Sequence, residues 1–146
     1  MGAISIPVTL TIAAACALIN LWLVVRVGRV RMSQKVSVGD GGNELVLRRM
    51  RAQANFVENA PFALILIAGL ELTAGTSWWL WAAGWLFVAG RLAHPFGMDG
   101  MRYGRMIGTA TAAIVLAGLA IWAVVLVYQA PAPVAPKTFE VPVTRG

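Results

Sequence analysis

Charge is scarce in this sequence. Only 12% of its 146 residues are Asp, Glu, Lys or Arg, and 59% are apolar, whereas a soluble domain carries about 25% charged residues. The deficit excludes a domain whose whole surface faces water. Acids are scarcer still: six Asp and Glu stand against twelve Lys and Arg, a formal net charge of +6. In a soluble protein that balance would raise the question of nucleic acid. Here the basic residues border long apolar runs, so a membrane surface is the expected counterpart and no nucleic-acid partner is expected. The single cysteine, Cys16, excludes an intrachain disulfide and reads as lipid- or helix-facing filler in an apolar stretch. The single histidine, His94, has no second His or Cys at ligand spacing, so no metal is expected. The run Gly39-Asp40-Gly41-Gly42 lacks the Lys-Ser/Thr ending of a phosphate loop and reads as a turn. No internal repeat is visible.

What the chain does have is long apolar runs. A helix rises about 1.5 Å per residue, so roughly 20 apolar residues cross the hydrocarbon core. The sequence predicts four such spans, near 5–26, 53–74, 78–96 and 106–128. The first is too long for a signal peptide, and its basic residues follow the apolar run instead of preceding it, so it reads as a mature helix. The fold class expected is all-α, an integral membrane four-helix bundle over residues 1–130 followed by an extended proline-rich tail over 131–146. Arg26, Arg29, Arg31, Lys35, Arg48, Arg49 and Arg51 lie between the first two spans, and Arg91, Arg102 and Arg105 flank the link between the last two. Basic loops stay in the cytosol, which puts both termini on the opposite side, with Trp78, Trp79 and Trp81 as an aromatic belt there. The lean loops and the lack of a cleavable signal point to a bacterial inner membrane.

The informative residues are the polar ones inside the spans. Arg51, Asn55 and Glu58 are spaced i, i+4, i+7 and share one helix face. An ionisable group within a span is costly, so it is expected to face a bundle interior or a wet cavity, either as part of a site or as a structural lock. Arg91 and His94 share a face of the third span, beside Pro95 and Gly97, which are expected to end or distort that helix. Arg105 opens the fourth, where an interfacial arginine that snorkels is the plain alternative. Glu71 points to a different face from Glu58 and reads as interfacial or subunit-packing. The ensemble is a cation-rich pocket with one buried carboxylate, Glu58. It suits a small anionic ligand that also carries an ammonium group.

The run Arg51-Ala52-Gln53-Ala54-Asn55, with Glu58 and Pro61, resembles the signature of the MAPEG family, the membrane-associated proteins in eicosanoid and glutathione metabolism. Arg91-Leu92-Ala93-His94, Gly97 and Arg105 extend the likeness over roughly residues 5–128. The resemblance implies a left-handed four-helix bundle assembled as a homotrimer, with glutathione as co-substrate between adjacent subunits. It assigns Arg51, Asn55 and Glu58 to glutathione binding. Arg31 matches a basic position after the first helix, with Arg29 a close competitor; His94 matches a ligand-contacting position, and Arg91 on the same face is expected to bind glutathione with it. Arg105 matches the arginine that stabilises the glutathione thiolate. A free thiol has a pKa near 8.5, and a guanidinium in a poorly solvated pocket favours the charged form. The chain departs from the eicosanoid-type members: Met98 stands in place of a tyrosine, Asn59 in place of an aromatic and Met106 in place of a serine.

The function implied is a membrane-bound glutathione-dependent transferase or peroxidase acting on lipophilic electrophiles. A non-catalytic binding or scaffold protein of the same fold is the rival. A proton-coupled exporter is disfavoured, since the first span contains no acid.

Overall fold

The computed structural model describes residues 5–129 as four helices: α1 (Pro7–Ser33), α2 (Glu44–Ala74), α3 (Trp78–Met98) and α4 (Gly104–Gln129). The expected tail, 131–146, lies outside the described residues. The protein is an all-α integral membrane four-helix bundle. By length and composition α1, α2 and α4 are each able to cross a membrane. α3, at 21 residues, is long enough, about 30 Å, but its tryptophans, Arg91 and His94 dilute its hydropathy.

The first two helices run well past the expected spans. Arg26, Arg29 and Arg31 are helical, as are Arg48, Arg49 and Arg51, and the irregular link is confined to residues 34–43. The reason is local. Asn43 caps α2, its Oδ1 accepting from the backbone N–H groups of Leu45 (3.0 Å) and Val46 (3.2 Å). Glu44 then sits in the first turn and pairs with Arg48 one turn on. Ser77 caps α3 in the same way, accepting from Leu80.

α1 has no such cap of its own. It begins Ile6-Pro7, and Ile6 offers no side-chain acceptor. Glu71, near the far end of α2, supplies one instead. Its carboxylate accepts from Val8 N (3.0 Å), Thr9 N (2.8 Å) and Thr9 Oγ1 (2.7 Å), and from Thr76 Oγ1 (2.8 Å). An anion at a helix N-terminus also meets the positive end of the helix dipole. Glu71 is therefore an internal tie, 2% exposed, and not the interfacial or subunit-packing residue expected.

The core follows the helical period. Val8, Ile12, Cys16, Ile19, Leu23 and Val27 recur every three or four residues along α1 and are buried. All of these but Val27 join one core with Phe56, Ala60, Ala63, Ile67 and Leu70 of α2, Leu80 and Phe87 of α3 and Ala112, Val115 and Leu119 of α4. Cys16 is helix-facing. Trp81 packs against this core, so the aromatic belt reduces to Trp78 and Trp79, both exposed and stacked with ring centroids 3.8 Å apart.

Glycine sets how closely α3 and α4 approach. A Cβ on Gly97 would collide with the backbone of Gly104 and Arg105, one on Gly108 with the His94 Cβ, and one on Gly90 with Thr111. Small residues at such a seam let helix backbones touch. α3 runs through Pro95 and Gly97, which were expected to end or distort it, and ends at Met98.

Replacing Glu71 tests the borrowed cap. Glu71→Ala leaves the first turn of α1 without its acceptor and is expected to lower stability by on the order of 3 kcal/mol, with Glu71→Gln milder. Thermal unfolding in detergent, followed by circular dichroism, reads the loss. A Glu71→Ala protein as stable as wild type would contradict the assignment.

Candidate functional site

Arg31, Arg51, Arg91, His94 and Arg105 lie toward one end of the bundle and Glu58 at mid-length of α2, and the structure divides them into two sets. The first is internal. Arg91 is 2% exposed. Its Nη1 donates to Asn55 Oδ1 at 2.8 Å, and its Nη2 donates to the backbone carbonyl of Gly108. It thereby joins α2, α3 and α4. The guanidinium also lies over the Phe87 ring, 5.5 Å from the centroid. No carboxylate pairs with it among the described residues, so its charge is met by amide and carbonyl oxygens alone. Gly108 makes this possible, because any side chain there would hold α4 away from α3. His94, one turn on from Arg91, is buried at the same seam with its Cβ facing Gly108.

The second set faces outward. Arg51 and Glu58 are exposed on α2, and neither makes an ion pair or side-chain hydrogen bond among the described residues. Glu58 was expected as a buried carboxylate; on the protomer it is at the surface. Asn55 lies between them, half-buried, because its amide oxygen turns inward to Arg91. The Asn59 amide, which could have faced the headgroups, donates back to the Asn55 carbonyl at 2.7 Å. Arg105 is exposed in the first turn of α4. The link before it is tight: Tyr103 adopts φ +70°, uncommon for a residue with a side chain. Arg31 turns toward α2, its Nη2 3.4 Å from the Met50 sulfur and its Nη1 3.4 Å from the Ser37 carbonyl. Arg29, its competitor, points elsewhere and lines a separate cleft with Arg26 and Arg49. Asn55 and Arg91 are thus in direct contact, His94 adjoins them, and Arg51, Glu58 and Arg105 present free charged groups on the outside.

Sequence reasoning passed over Asp99. It sits just past the end of α3 and takes ion pairs from Arg26 on α1 and Arg49 on α2, the latter at 2.5 Å. Burial pushes its carboxyl up from its ordinary value, against the pull of Arg49 and Arg48. The available signal was that Asp99 is the one acid in the link 99–103, between Arg91 and Arg105. Asn20 was also passed over; its amide oxygen is buried on α1 without a partner among the described residues. Two larger grooves occur toward the other end, about 480 Å³ between α3 and α4 and about 730 Å³ between α2 and α4. Neither is lined by an ionisable side chain, so neither can orient a charged ligand.

A membrane four-helix bundle with arginines and a carboxylate at one end defines the class. Residues 9–125 match the MAPEG family, and the chain belongs to that family. Among curated proteins it is similar to the inner membrane protein YecN of Escherichia coli. The sequences from strain K12 and from strain O6:H1 are each 35% identical to it over 69 residues, which is 47% of this chain and 53% of theirs. The chain spans about half the length of these curated relatives.

The division into an internal and an external set has a direct consequence. Arg91→Ala leaves Asn55 Oδ1 and the Gly108 carbonyl unpaired in the bundle interior and is expected to lower protomer stability by on the order of 3 kcal/mol. Arg105→Ala, at an exposed position, should change it by no more than about 0.5 kcal/mol. Comparative unfolding of the two variants in one detergent checks the difference, and equal losses would contradict it.

Proposed function

We propose that the protein is a glutathione-dependent transferase or peroxidase of the membrane, acting on lipophilic electrophiles at a site completed by a second subunit of a homotrimer. The observation that carries this is the exposure of Arg51 and Glu58. A free guanidinium and a free carboxylate on the outer face of a membrane helix, with Glu58 inside the apolar span, are expensive against lipid. A neighbouring subunit and a charged ligand would together relieve both. Family membership supports glutathione as that ligand.

The residues present fit it. Glutathione carries two carboxylates and one ammonium, and Arg51 and Glu58 offer one charge of each sign. The seven-residue step between them corresponds to about 10 Å of helix rise, comparable to the extended length of a tripeptide at about 3.4 Å per residue. Arg51 would take a carboxylate in a bidentate pair and Glu58 the ammonium. Arg31 and His94 are the further contacts the family pattern proposes. Arg91 is proposed to act through Asn55: by occupying Oδ1 it leaves the Asn55 amide N–H groups as donors. Arg105 is the proposed thiolate partner, its guanidinium favouring the ionised sulfur. The thiolate forms a carbon–sulfur bond to the electrophile as the leaving group departs with its electron pair. The thiol proton passes to solvent. The basic end would face the cytosol, where the positive-inside rule puts it, with both termini opposite. A bacterial inner membrane is the location supported by YecN.

The scaffold reading keeps one observation in its favour. Asn55 is engaged by Arg91, so part of the signature face serves the fold itself. Arg105→Ala separates the two readings. Conjugation of glutathione to a chlorodinitrobenzene is expected to fall by about 100-fold or more, the usual effect of removing a donor from a developing anion, while size-exclusion chromatography with light scattering still gives a trimer. Unchanged conjugation would remove Arg105 from the chemistry. A wild type with no activity above background would favour the scaffold.

A further inference from the structure

We propose that the cleft between the basic ends of α1 and α2 binds the phosphate of an anionic phospholipid. This is independent of the glutathione reading. The cleft, of about 390 Å³, is lined by Arg26, Arg29, Val30, Ser33, Leu45 and Arg49. Three guanidiniums face it, and the one carboxylate that pairs with them among the described residues is Asp99, shared by Arg26 and Arg49. Positive charge is therefore left over. Arg26 is further held over the Trp22 ring at 4.7 Å, yet its Nη1 is buried with no hydrogen-bond partner among the described residues. That guanidinium is held on two sides with one donor unused, so its charge is only partly compensated within the protein.

Depth and surroundings select a lipid. Arg26 is the first charged residue after the apolar run of α1, and Ser33 ends the helix. The seven-residue step between them rises about 10 Å, enough to cross the headgroup layer of one leaflet, about 5–8 Å given a core of about 30 Å in a bilayer of about 40–45 Å. On the face of α1 below Arg29 run Val25, Leu21 and Leu18, which are 40%, 61% and 69% exposed. Their spacing makes a continuous apolar track leading from the arginine into the hydrocarbon. Leu45, 53% exposed, continues the apolar wall on α2. A soluble anion needs the arginines but not the track; a phospholipid uses both. Juxtamembrane arginines attract anionic lipid in this way. Arg49 and Arg51 project about 200° apart around α2, so the cleft is distinct from the proposed glutathione face.

Native mass spectrometry of the full-length, delipidated protein in detergent tests the proposal, with phosphatidylglycerol and phosphatidylcholine added in parallel. Wild type should retain phosphatidylglycerol in preference. Arg29→Gln should cut that preference about fivefold, the effect of one arginine near an anionic surface. Arg102→Gln, an exposed arginine stacked on Tyr103 and outside the cleft, should leave it intact. Matched circular dichroism melts show that the variants are folded. Wild type without a headgroup preference overturns the proposal. So does an equal loss in Arg102→Gln, which would mean diffuse charge attraction. Displacement of the lipid by inorganic phosphate at the same concentration would assign the cleft to a soluble anion and overturn the lipid assignment.

Discussion

The bond from the Arg91 guanidinium to the Gly108 carbonyl is the contact around which the basic end of the bundle is organised. It requires α3 and α4 to approach backbone to backbone, and the glycines at 90, 97, 104 and 108 permit that approach. The same guanidinium reaches α2 through Asn55. One side chain thus fixes the rotation of three helices relative to each other. In hydrocarbon such a group is costly; here Nη1 and Nη2 are filled, while Nε is buried with no partner among the described residues. With Asn55 turned inward to Arg91, Arg51 and Glu58 emerge on the outside of α2.

The far end of the bundle is tied by a different device with the same logic. α1 starts with an isoleucine and a proline and cannot satisfy its own first amides, so the Glu71 carboxylate does so from α2. Glu71 and Glu58, both on α2, therefore do opposite things. Glu71 has all its partners within the protomer. Glu58 has none among the described residues, and in the proposed site it finds one in glutathione at a subunit boundary.

Much of the fold was legible because it rests on long-range hydropathy. The uncharged runs of α1 and α4 and the Gly75–Ser77 break before α3 follow from counting apolar residues. Helix ends were less visible: α2 begins nine residues before its expected span, since Asn43 and Glu44 are helix-start signals in a polar stretch that hydropathy ignores. The signature residues were legible as a pattern, but whether each points in or out was not. Arg91 and Arg105 look alike in the sequence, and only the neighbour across the α3–α4 seam makes one internal and leaves the other exposed. Asp99 went unread, and Glu71 was read as interfacial or subunit-packing, for the same reason: partners 50 to 73 and 62 to 63 residues away in the chain.

The central claim is that the free charges on the outer face of α2 await glutathione. Isothermal titration calorimetry of glutathione against the detergent-solubilised wild type and Glu58→Ala in parallel addresses it most directly. The account predicts saturable binding by wild type that is lost in the variant, whose protomer is otherwise intact. A well-assembled wild type that takes up no glutathione would contradict it.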